Sequence, residues 1–502
     1  MNRLFTLLLV AVVAIAARAT DYNVPVTVTV NGVSSEQTGA ITIDENNGLY
    51  DITLKNFMLQ SEDGPMGVGN VELRGVSPFQ DGNATLLVTT GNVTITPGDD
   101  PSISFWMASI LPPVNIELRG KIEGDRLRCY IDIDLTETLG QTIQVAIGDG
   151  YQIANQGFEA WHTTTDSYVE PNGWHSFESA TGGLAILAGH HIERSLDAHS
   201  GEASARIFAT SIFGIVANGT MTTGRMNAGA MSAEDPANHA YLDMSMTDVD
   251  GNGDPFYTPM YVIPDSVAVW VKFKQGKPDS DHPYATISAV ITDGTRYQDP
   301  EDKEYTNVVA KAKNDRIAAT NDEWVRVTAP FVATGNAVEP KAVLVTMSTN
   351  ADAGQGSGTD ELLIDDIEFI YNAKVTGLKI KGVEVPWFDP EVTSYEMELD
   401  GEITADDIDV AIEGNTVYVT KEIEQEADHY LCRVNAINAD MTIMSSYLVK
   451  VDYGVTGISS QRSAATHQAT YFMLDGRRVA APASGSIYVS HQADGTTVKI
   501  RR

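Results

Sequence analysis

The chain has 502 residues, of which 43% are hydrophobic and 20% charged, a balance typical of globular protein rather than of a disordered chain. This length exceeds what one hydrophobic core usually serves, so three or four modules are expected. Sixty-eight acidic against thirty-three basic residues give a formal net charge of −35, which argues against nucleic acid and anionic lipid as partners because their phosphates would be repelled.

Residues 1–19 predict a cleaved export signal. A positive Arg3 precedes an apolar run that is too short to span a bilayer comfortably, and an Ala-x-Ala cleavage signal ends at Ala19. We therefore expect a mature chain that begins at Thr20 and is exported through the inner membrane, to the cell surface or the medium. An uncleaved membrane anchor is the alternative. No later segment is apolar enough to predict a membrane span.

Residues 21–150 predict an up-and-down β-barrel. Eight or nine short alternating runs, NVTITP at residues 92–97 among them, are separated by NG, DG and GD turns. They would leave no exposed strand edge if they closed into a barrel. The segments NGLYDITLKNF, GVGNVELRGV and DIDLTETLGQTIQVAIG resemble the calycin-like (lipocalin-like) barrel domain of bacterial exported proteins. That resemblance implies a lipophilic small molecule as a candidate ligand, although the Gly-x-Trp of conventional lipocalins is absent. Side chains alone can also fill a small barrel.

Residues 151–372 predict a two-sheet jelly roll. Strand-like runs such as SVAVWVKFK, ATISAVITD and AVLVTMST are joined by long loops rich in Gly, Asp and Pro. The span resembles a carbohydrate-metabolism domain family allied to carbohydrate-binding jelly rolls, through Gly157-Phe158-Glu159, Pro171-Asn172-Gly173-Trp174, HSGEASARIF, TTGRMNAG and Ile364-Asp365-Asp366-Ile367. The resemblance implies that the first and last strands are neighbours and that the loops recognise glycan.

Residues 374–454 predict a small Ig-like or cadherin-like β-sandwich, whose usual role is spacing. The two cysteines, Cys129 and Cys432, fall in different modules, so we expect no disulfide between them. Such scarcity of cysteine fits a bacterial exported protein.

The C-terminal stretch predicts a linker over 455–470 and a short β-hairpin tail over 471–502. The pattern FxLxGRRV, starting at Phe472, and later strands IYV and VKI resemble the sorting domain of the type IX secretion pathway. Ser486 departs from that pattern, since it separates Gly485 from the following strand. The resemblance implies passage across the outer membrane.

The stretch DVDGNGD predicts a calcium loop. Its oxygen-bearing side chains alternate along the chain, and calcium takes six to eight oxygen ligands. An EF-hand is excluded because Pro259 stands where the bidentate Glu is needed. A non-EF calcium loop and an ion-free turn remain as alternatives. The candidate ligands are Asp248, Asp250, Asn252 and Asp254.

A second cation site is expected where the ends of the jelly roll meet. Glu159 would then share a structural calcium with Asp365 and Asp366. The alternative is that these carboxylates only accept hydrogen bonds from nearby loop backbone.

Aromatic rings that could stack on sugars occur in one loop of the same module. Core packing is the alternative for each ring. Three further tryptophans, Trp106, Trp324 and Trp387, are expected to be packing residues. The candidate ligand-binding residues are Trp161, Asp166, Tyr168, Asn172 and Trp174, with Glu170 and His175 in the same loop.

The sequence contains no Gly-x-Ser-x-Gly, HExxH or Walker pattern. Its ten histidines show no zinc-like spacing, so we interpret them as surface residues or as core residues with satisfied hydrogen bonds. The first hypothesis is therefore a non-catalytic glycan-binding protein, secreted or on the cell surface. A polysaccharide-active hydrolase or lyase is the second, and a structural, fimbria-like surface component the third. A cleft with two facing carboxylates would favour the enzyme, an aromatic shelf the binder, and a featureless sheet face the structural component.

Overall fold

The computed structural model describes residues 18–31, 33–59, 66–136, 140–249, 251–278, 281–453, 470–473, 478–479, 487–491 and 497–501. Across these residues the chain is all-β and multidomain, as predicted. Its helical elements are one turn and three short 3-10 segments, at Ala185–Ala188, Met107–Ser109, Phe177–Ser179 and Ala405–Asp407. None of the described helices is long or apolar enough to span a membrane.

The chain folds into two compact units. The first holds residues 1–398 and 402–452, and the second holds residues 399–401 and 453–502. The expected signal segment lies outside the described residues up to position 17, as does the expected linker up to position 469.

The N-terminal module is one antiparallel sheet of nine strands in the order β4-β3-β2-β1-β9-β8-β7-β6-β5. Alternate residues along most of these strands are buried, and they fill the space inside the curled sheet. The strands are β1 (Arg18–Val30), β2 (Val33–Asn46), β3 (Leu49–Leu59), β4 (Met66–Val76), β5 (Pro78–Asp81), β6 (Ala84–Val93), β7 (Val114–Glu123), β8 (Arg126–Leu135) and β9 (Gln141–Ile147).

Edge strand β4 meets the segment that follows β6. Asn70 and Thr96 exchange two backbone hydrogen bonds, at 2.7 and 3.1 Å. The run NVTITP, predicted as a strand of its own, therefore supplies only the end of β6 and this bridge, while β5 was not predicted. A cavity of about 100 Å³ at Val26, Ile41 and Phe57 falls below the size usual for ligand pockets, about 300–1,000 Å³.

The central module packs two larger antiparallel sheets on a common core. Its strands are β10 (Trp161–Thr163), β11 (Val169–Pro171), β12 (Ile192–Ser195), β13 (Ser204–Phe208), β14 (Thr210–Ile212), β15 (Ile215–Ala217), β16 (Thr220–Thr222), β17 (Arg225–Ala228), β18 (Asn238–Thr247), β19 (Pro255–Phe256), β20 (Thr258–Pro259), β21 (Ser266–Lys274), β22 (Ala285–Thr292), β23 (Tyr297–Asp299), β24 (Val308–Ile317), β25 (Val325–Pro330), β26 (Val332–Ala333), β27 (Ala342–Ser348) and β28 (Glu361–Ile370).

One sheet has the order β12-β13-β28-β21-β25, and the other runs β16-β27-β22-β24-β26 with β20 added on β27. The segments that open and close the module are adjacent, because Ile367 N–H donates to Gln156 O at 3.0 Å. Phe158 and Ile367 are both fully buried in the core between the sheets. The expected meeting of the two ends is therefore observed.

The third module is a small sandwich of a three-stranded and a four-stranded sheet. Its strands are β29 (Lys374–Ile380), β30 (Val383–Glu384), β31 (Ser394–Leu399), β32 (Ile408–Glu413), β33 (Val417–Gln425), β34 (His429–Asn438) and β35 (Met444–Tyr453). It packs on the barrel rather than standing apart from it, since Ile437 and Met441 share a buried cluster with Ala84 and Leu86.

The second compact unit contains a four-stranded sheet in the order β37-β36-β38-β39. The strands are β36 (Thr470–Met473), β37 (Arg478–Val479), β38 (Ile487–His491) and β39 (Thr497–Arg501). The FxLxGRRV pattern contributes β36 and β37, while its Leu474, Gly476 and Arg477 lie outside the described residues.

Candidate functional site

A ligand-sized cleft lies on the outer face of the six-stranded sheet of the central module. The small sheet formed by β17, β18, β19 and β23 covers one half of that face through a buried apolar cluster. The other half stays open as a cleft of about 310 Å³, a volume within the usual range for ligand pockets.

The cleft has a polar floor because strand side chains alternate between the two faces of a sheet. On β22, Ala285 and Ile287 enter the core, whereas Thr286 and Ser288 face the cleft. The neighbouring strands add further polar side chains to the lining, namely Lys313, Thr346 and Ser348.

Within the part of the chain that the structure describes, two buried polar atoms of the cleft residues have no hydrogen-bond partner: Thr286 Oγ1 and His239 Nε2. His239 Nδ1 lies 2.8 Å from Pro236 O and donates its proton there, so Nε2 is an acceptor. Burial lowers the pKa of His239, which keeps the ring neutral. Thr286 and His239 thus offer polar atoms that a ligand can satisfy.

Asp299 is the one carboxylate among the described residues that line the cleft. Burial raises its pKa, while a hydrogen bond from Ser288 and the charge of Lys313 act in the opposite direction. Most glycoside hydrolases use a pair of carboxyl groups, and the described lining of this cleft supplies one.

Apolar side chains surround the mouth of the cleft. Leu187, Ile215 and Met231 line it and are 42%, 37% and 48% exposed, and Phe213 at the tip of the β14–β15 hairpin is 83% exposed. Exposed apolar side chains gathered at a concave site are typical of ligand or partner binding.

The predicted stacking role of Trp174 is wrong. Its side chain has no exposed surface and packs in the core, with its ring centroid 5.3 Å from that of Phe158. Trp161 is half-buried against the same core, and its indole N–H donates to Phe158 O. Both rings therefore pack in or against the core, which was the alternative to ligand stacking.

Tyr168 and Asp166 are exposed at the β10–β11 hairpin, and Tyr168 stacks on His190 at 4.6 Å. Asn172 is half-buried, with its Oδ1 3.1 Å from His162 Nδ1. None of the five predicted ligand-binding residues belongs to the described lining of the cleft.

The loop DVDGNGD follows β18 and is closed by its own hydrogen bonds. Asp248 Oδ1 accepts Gly251 N–H at 3.2 Å, and Asn252 Oδ1 accepts Asp254 N–H at 3.1 Å. The Asp254 carboxylate accepts the N–H of Gly173. Asp250 lies outside the described residues. These hydrogen bonds match the ion-free turn, and a calcium ion here remains a prediction.

Glu159, Asp365 and Asp366 gather where the two ends of the module meet. Glu159 Oε1 accepts Glu202 N–H at 2.8 Å, and Asp365 Oδ2 accepts His199 N–H at 2.7 Å. Burial, followed by the charge of Asp366, raises the pKa of Asp365 to about 6. Backbone hydrogen bonding, the alternative to an ion, is therefore present; a structural calcium among these oxygens remains a prediction.

Two tryptophans elsewhere differ in exposure. Trp270 is half-buried, and His199 stacks on its ring at 3.8 Å, so this indole face is already covered. Trp387, expected to be a packing residue, is 89% exposed. That expectation is wrong, because Trp387 stands at positive φ in a loop and projects from the small sandwich.

A cluster of His162, Glu170, Asp248 and His175 was missed by the sequence analysis. The first three bring ligand atoms within 4.8 Å of one another, and His175 Nδ1 lies 3.5 Å from Asp248 Oδ2. The interpretation of the histidines as ordinary surface or core residues overlooked it because Asp248 is distant in sequence. The sequence contains one indication of this cluster. His162 and Glu170 belong to the short β10–β11 hairpin, in which they lie opposite each other on paired strands.

The fold and the cleft define a multidomain all-β protein with a ligand-sized site in its central sandwich. Residues 19–147 match the Calycin-like beta-barrel domain family, which confirms the resemblance seen in residues 21–150. No curated protein matches the chain in sequence.

Two solved structures are similar over most of the chain, at low identity. One is the M60 catalytic domain with the CBM51-1 and CBM51-2 domains from Clostridium perfringens ZmpB, with 9% identity, a TM-score of 0.13, and coverage of 95% of this chain and 45% of that one. The chain thus spans less than half of that structure's length. The other, PNGF-II, has 7% identity, a TM-score of 0.13, and coverage of 88% and 99%. Similarity at these scores carries no argument about function.

Proposed function

We propose that the chain is a non-catalytic glycan-binding protein whose central sandwich takes a short saccharide in the cleft above β22, β24 and β27. The observation that carries the proposal is the cleft itself, a 310 Å³ site with a floor of hydroxyl, amide and amino groups and an apolar mouth. Sugars combine hydroxyl groups with apolar C–H faces, so both surfaces have a counterpart in such a ligand.

The lone carboxyl group in the described lining favours binding over hydrolysis. Glycoside hydrolysis uses two carboxyl groups, about 5–5.5 or 6.5–9.5 Å apart. Asp299, with its raised pKa, supplies one candidate acid. An enzyme acting on polysaccharide is therefore the second candidate, and turnover of a bound saccharide would favour it over the first.

Export belongs to the same proposal. The segment 1–19 would direct the chain through the inner membrane, and the tail from 471 onward would act as a type IX sorting domain. Glycan binding at the cell surface or in the medium is the role that fits this route.

The test is a glycan-array screen of the full-length chain, followed by calorimetry with the best saccharide and with Thr286→Val. This variant removes only the unpartnered hydroxyl, so we expect at least a tenfold loss of affinity with an unchanged melting temperature. Lys313→Met removes the amino group from the floor of the cleft, and we expect it to lower the affinity for the saccharide in the same way.

Lys274→Met is the matched control, since Lys274 is 74% exposed on the other sheet. It should bind as the wild type does. No binding on the array, or equal affinity in all three variants, would remove the cleft as the glycan site.

A further inference from the structure

Four side chains from three segments converge beside the β10–β11 hairpin. His162 pairs directly with Glu170 across the hairpin, so both side chains leave it on the same face. Asp248, just after β18, joins them with its ligand atom within 4.8 Å. His175 lies beside this group of three, with Nδ1 3.5 Å from Asp248 Oδ2.

The cluster is buried and consists of carboxylate and imidazole groups, whose oxygen and nitrogen lone pairs can bind a metal ion. Glu170 and His175 have no exposed surface, and Asp248 is 3% exposed. Glu170 Oε2 and His162 Nε2 are buried atoms that have no hydrogen-bond partner among the described residues. A buried carboxylate oxygen and an imidazole lone pair that lack such partners are unfavourable unless a positive charge lies near them.

The surrounding hydrogen bonds orient the ligand atoms toward one point. Asn172 Oδ1, 3.1 Å from His162 Nδ1, accepts a proton there and leaves the lone pair on Nε2. Ser176 donates its backbone N–H to Glu170 Oε1 at 2.8 Å and its hydroxyl to the same atom, so Oε2 is the atom that faces the cluster. Such outer hydrogen bonds are typical of metal-binding histidines and carboxylates.

We propose that His162 Nε2, Glu170 Oε2, Asp248 Oδ2 and His175 Nδ1 bind a divalent first-row transition metal, with Zn²⁺ as the best match. Zinc bonds of about 2.0–2.2 Å in a tetrahedron place neighbouring ligand atoms about 3.4 Å apart. The His175–Asp248 separation of 3.5 Å fits this spacing. Two imidazoles select against calcium, which takes oxygen ligands, and two carboxylates neutralise the ion.

Gly251 leaves room for the ion. A Cβ atom at this position would lie 2.9 Å from His162 Nε2 and closer still to Asp248 Oδ2. Glycine is thus the residue that keeps the space beside these two ligand atoms free of a side chain.

The burial of the ligands gives the metal a structural role, because closed four-ligand sites stabilise folds whereas catalytic sites keep a position open. The ion would tie the β10–β11 hairpin to the loop after β18. The DVDGNGD loop then takes part in metal binding through Asp248 alone, in a site with nitrogen ligands, and does not form an oxygen-only calcium site.

The test is the metal content of the full-length chain after dialysis against Zn²⁺, measured by inductively coupled plasma mass spectrometry. We expect one zinc per chain, a melting temperature that falls in EDTA, and recovery with Zn²⁺ but not with Ca²⁺. Co²⁺ in place of zinc should give the visible absorption of a tetrahedral site.

His162→Ala and Glu170→Gln should each weaken zinc binding at least tenfold, whereas Asp166→Asn, in the exposed turn of the same hairpin, should match the wild type. If Glu170→Gln does not fold, His162→Ala and the cobalt spectrum still test whether the metal site exists. Less than stoichiometric zinc in the wild type, or unchanged affinity in His162→Ala, would overturn the proposal. The readout involves no glycan, so it is independent of the proposed function.

Discussion

The tryptophan side chains of this protein range from fully buried to almost fully exposed. Trp106 was correctly expected to pack and is buried, but Trp174 and Trp387 were misplaced in opposite directions. An aromatic ring in a Gly- and Pro-rich loop can fold inward or outward at similar local cost, and tertiary packing decides between them. No local pattern carries that information.

Trp174 provides the prediction at this scale. Trp174→Ala should lower the free energy of unfolding by about 3–5 kcal/mol, because it removes a fully buried indole and leaves a cavity beside Phe158. Tyr168→Ala, which removes a ring that is 42% exposed on the preceding β10–β11 hairpin, should change it by less than about 1 kcal/mol. Urea denaturation measures both. Equal losses would show that Trp174 is not a core residue.

Strands were largely predictable because period-2 alternation encodes burial directly, as in β3 and β9. The segments that connect the strands were harder to predict. NVTITP has the alternation of a strand, yet only Thr96 pairs with β4, since Pro97 ends the segment and the chain turns away. The polar floor of the cleft was also hidden, because Thr286 and Ser288 look like ordinary outward residues until the sheets are assembled.

Gly69 provides the prediction for the barrel edge. It lies at φ +136°, and a Cβ there would press on Thr96 O and lie 2.9 Å from the Ala108 Cβ. Gly69→Ala should therefore weaken the pairing between β4 and the segment after β6 and lower stability by about 2–3 kcal/mol. Gly91→Ala, in β6 with no atom within 4 Å of the added Cβ, is the control and should be nearly neutral. Thermal melts that place both variants at the same midpoint would contradict this.

At the scale of the whole molecule, the first compact unit joins barrel, central sandwich and small sandwich through polar interactions that no single segment predicts. Arg128 of the barrel donates to Asp440 O at 2.9 Å. Lys121 of the barrel donates to the Tyr418 hydroxyl at 2.9 Å and lies 5.0 Å from the centre of the Tyr151 ring. The small sandwich, expected from its usual role to be a spacer, is therefore fixed against the barrel.

Lys121 makes the junction sensitive to pH. Burial lowers the pKa of Lys121 from 10.5 to about 8. Between these pH values the unfolded chain binds more protons than the folded one, so stability should rise with pH. Lys121→Met removes this effect and should be more stable than the wild type by about 1–2 kcal/mol at pH 7, with a smaller difference at pH 9.5. Chemical denaturation at the two pH values measures it.

Lys55→Met, at an exposed lysine of the same barrel, controls for general charge effects. Its difference in stability from the wild type should be the same at pH 7 and at pH 9.5. A stability difference between Lys121→Met and the wild type that stays constant from pH 7 to 9.5 would contradict the account of the junction.

The most direct measurement of the central claim is hydrogen–deuterium exchange of the full-length chain, with and without the best saccharide from the array. If the cleft binds glycan, protection should appear in β22 around residues 286–288 and in β27 around residues 346–348, with none in the β10–β11 hairpin. Protection confined to the hairpin, or to the outer face of the five-stranded sheet, would contradict the claim.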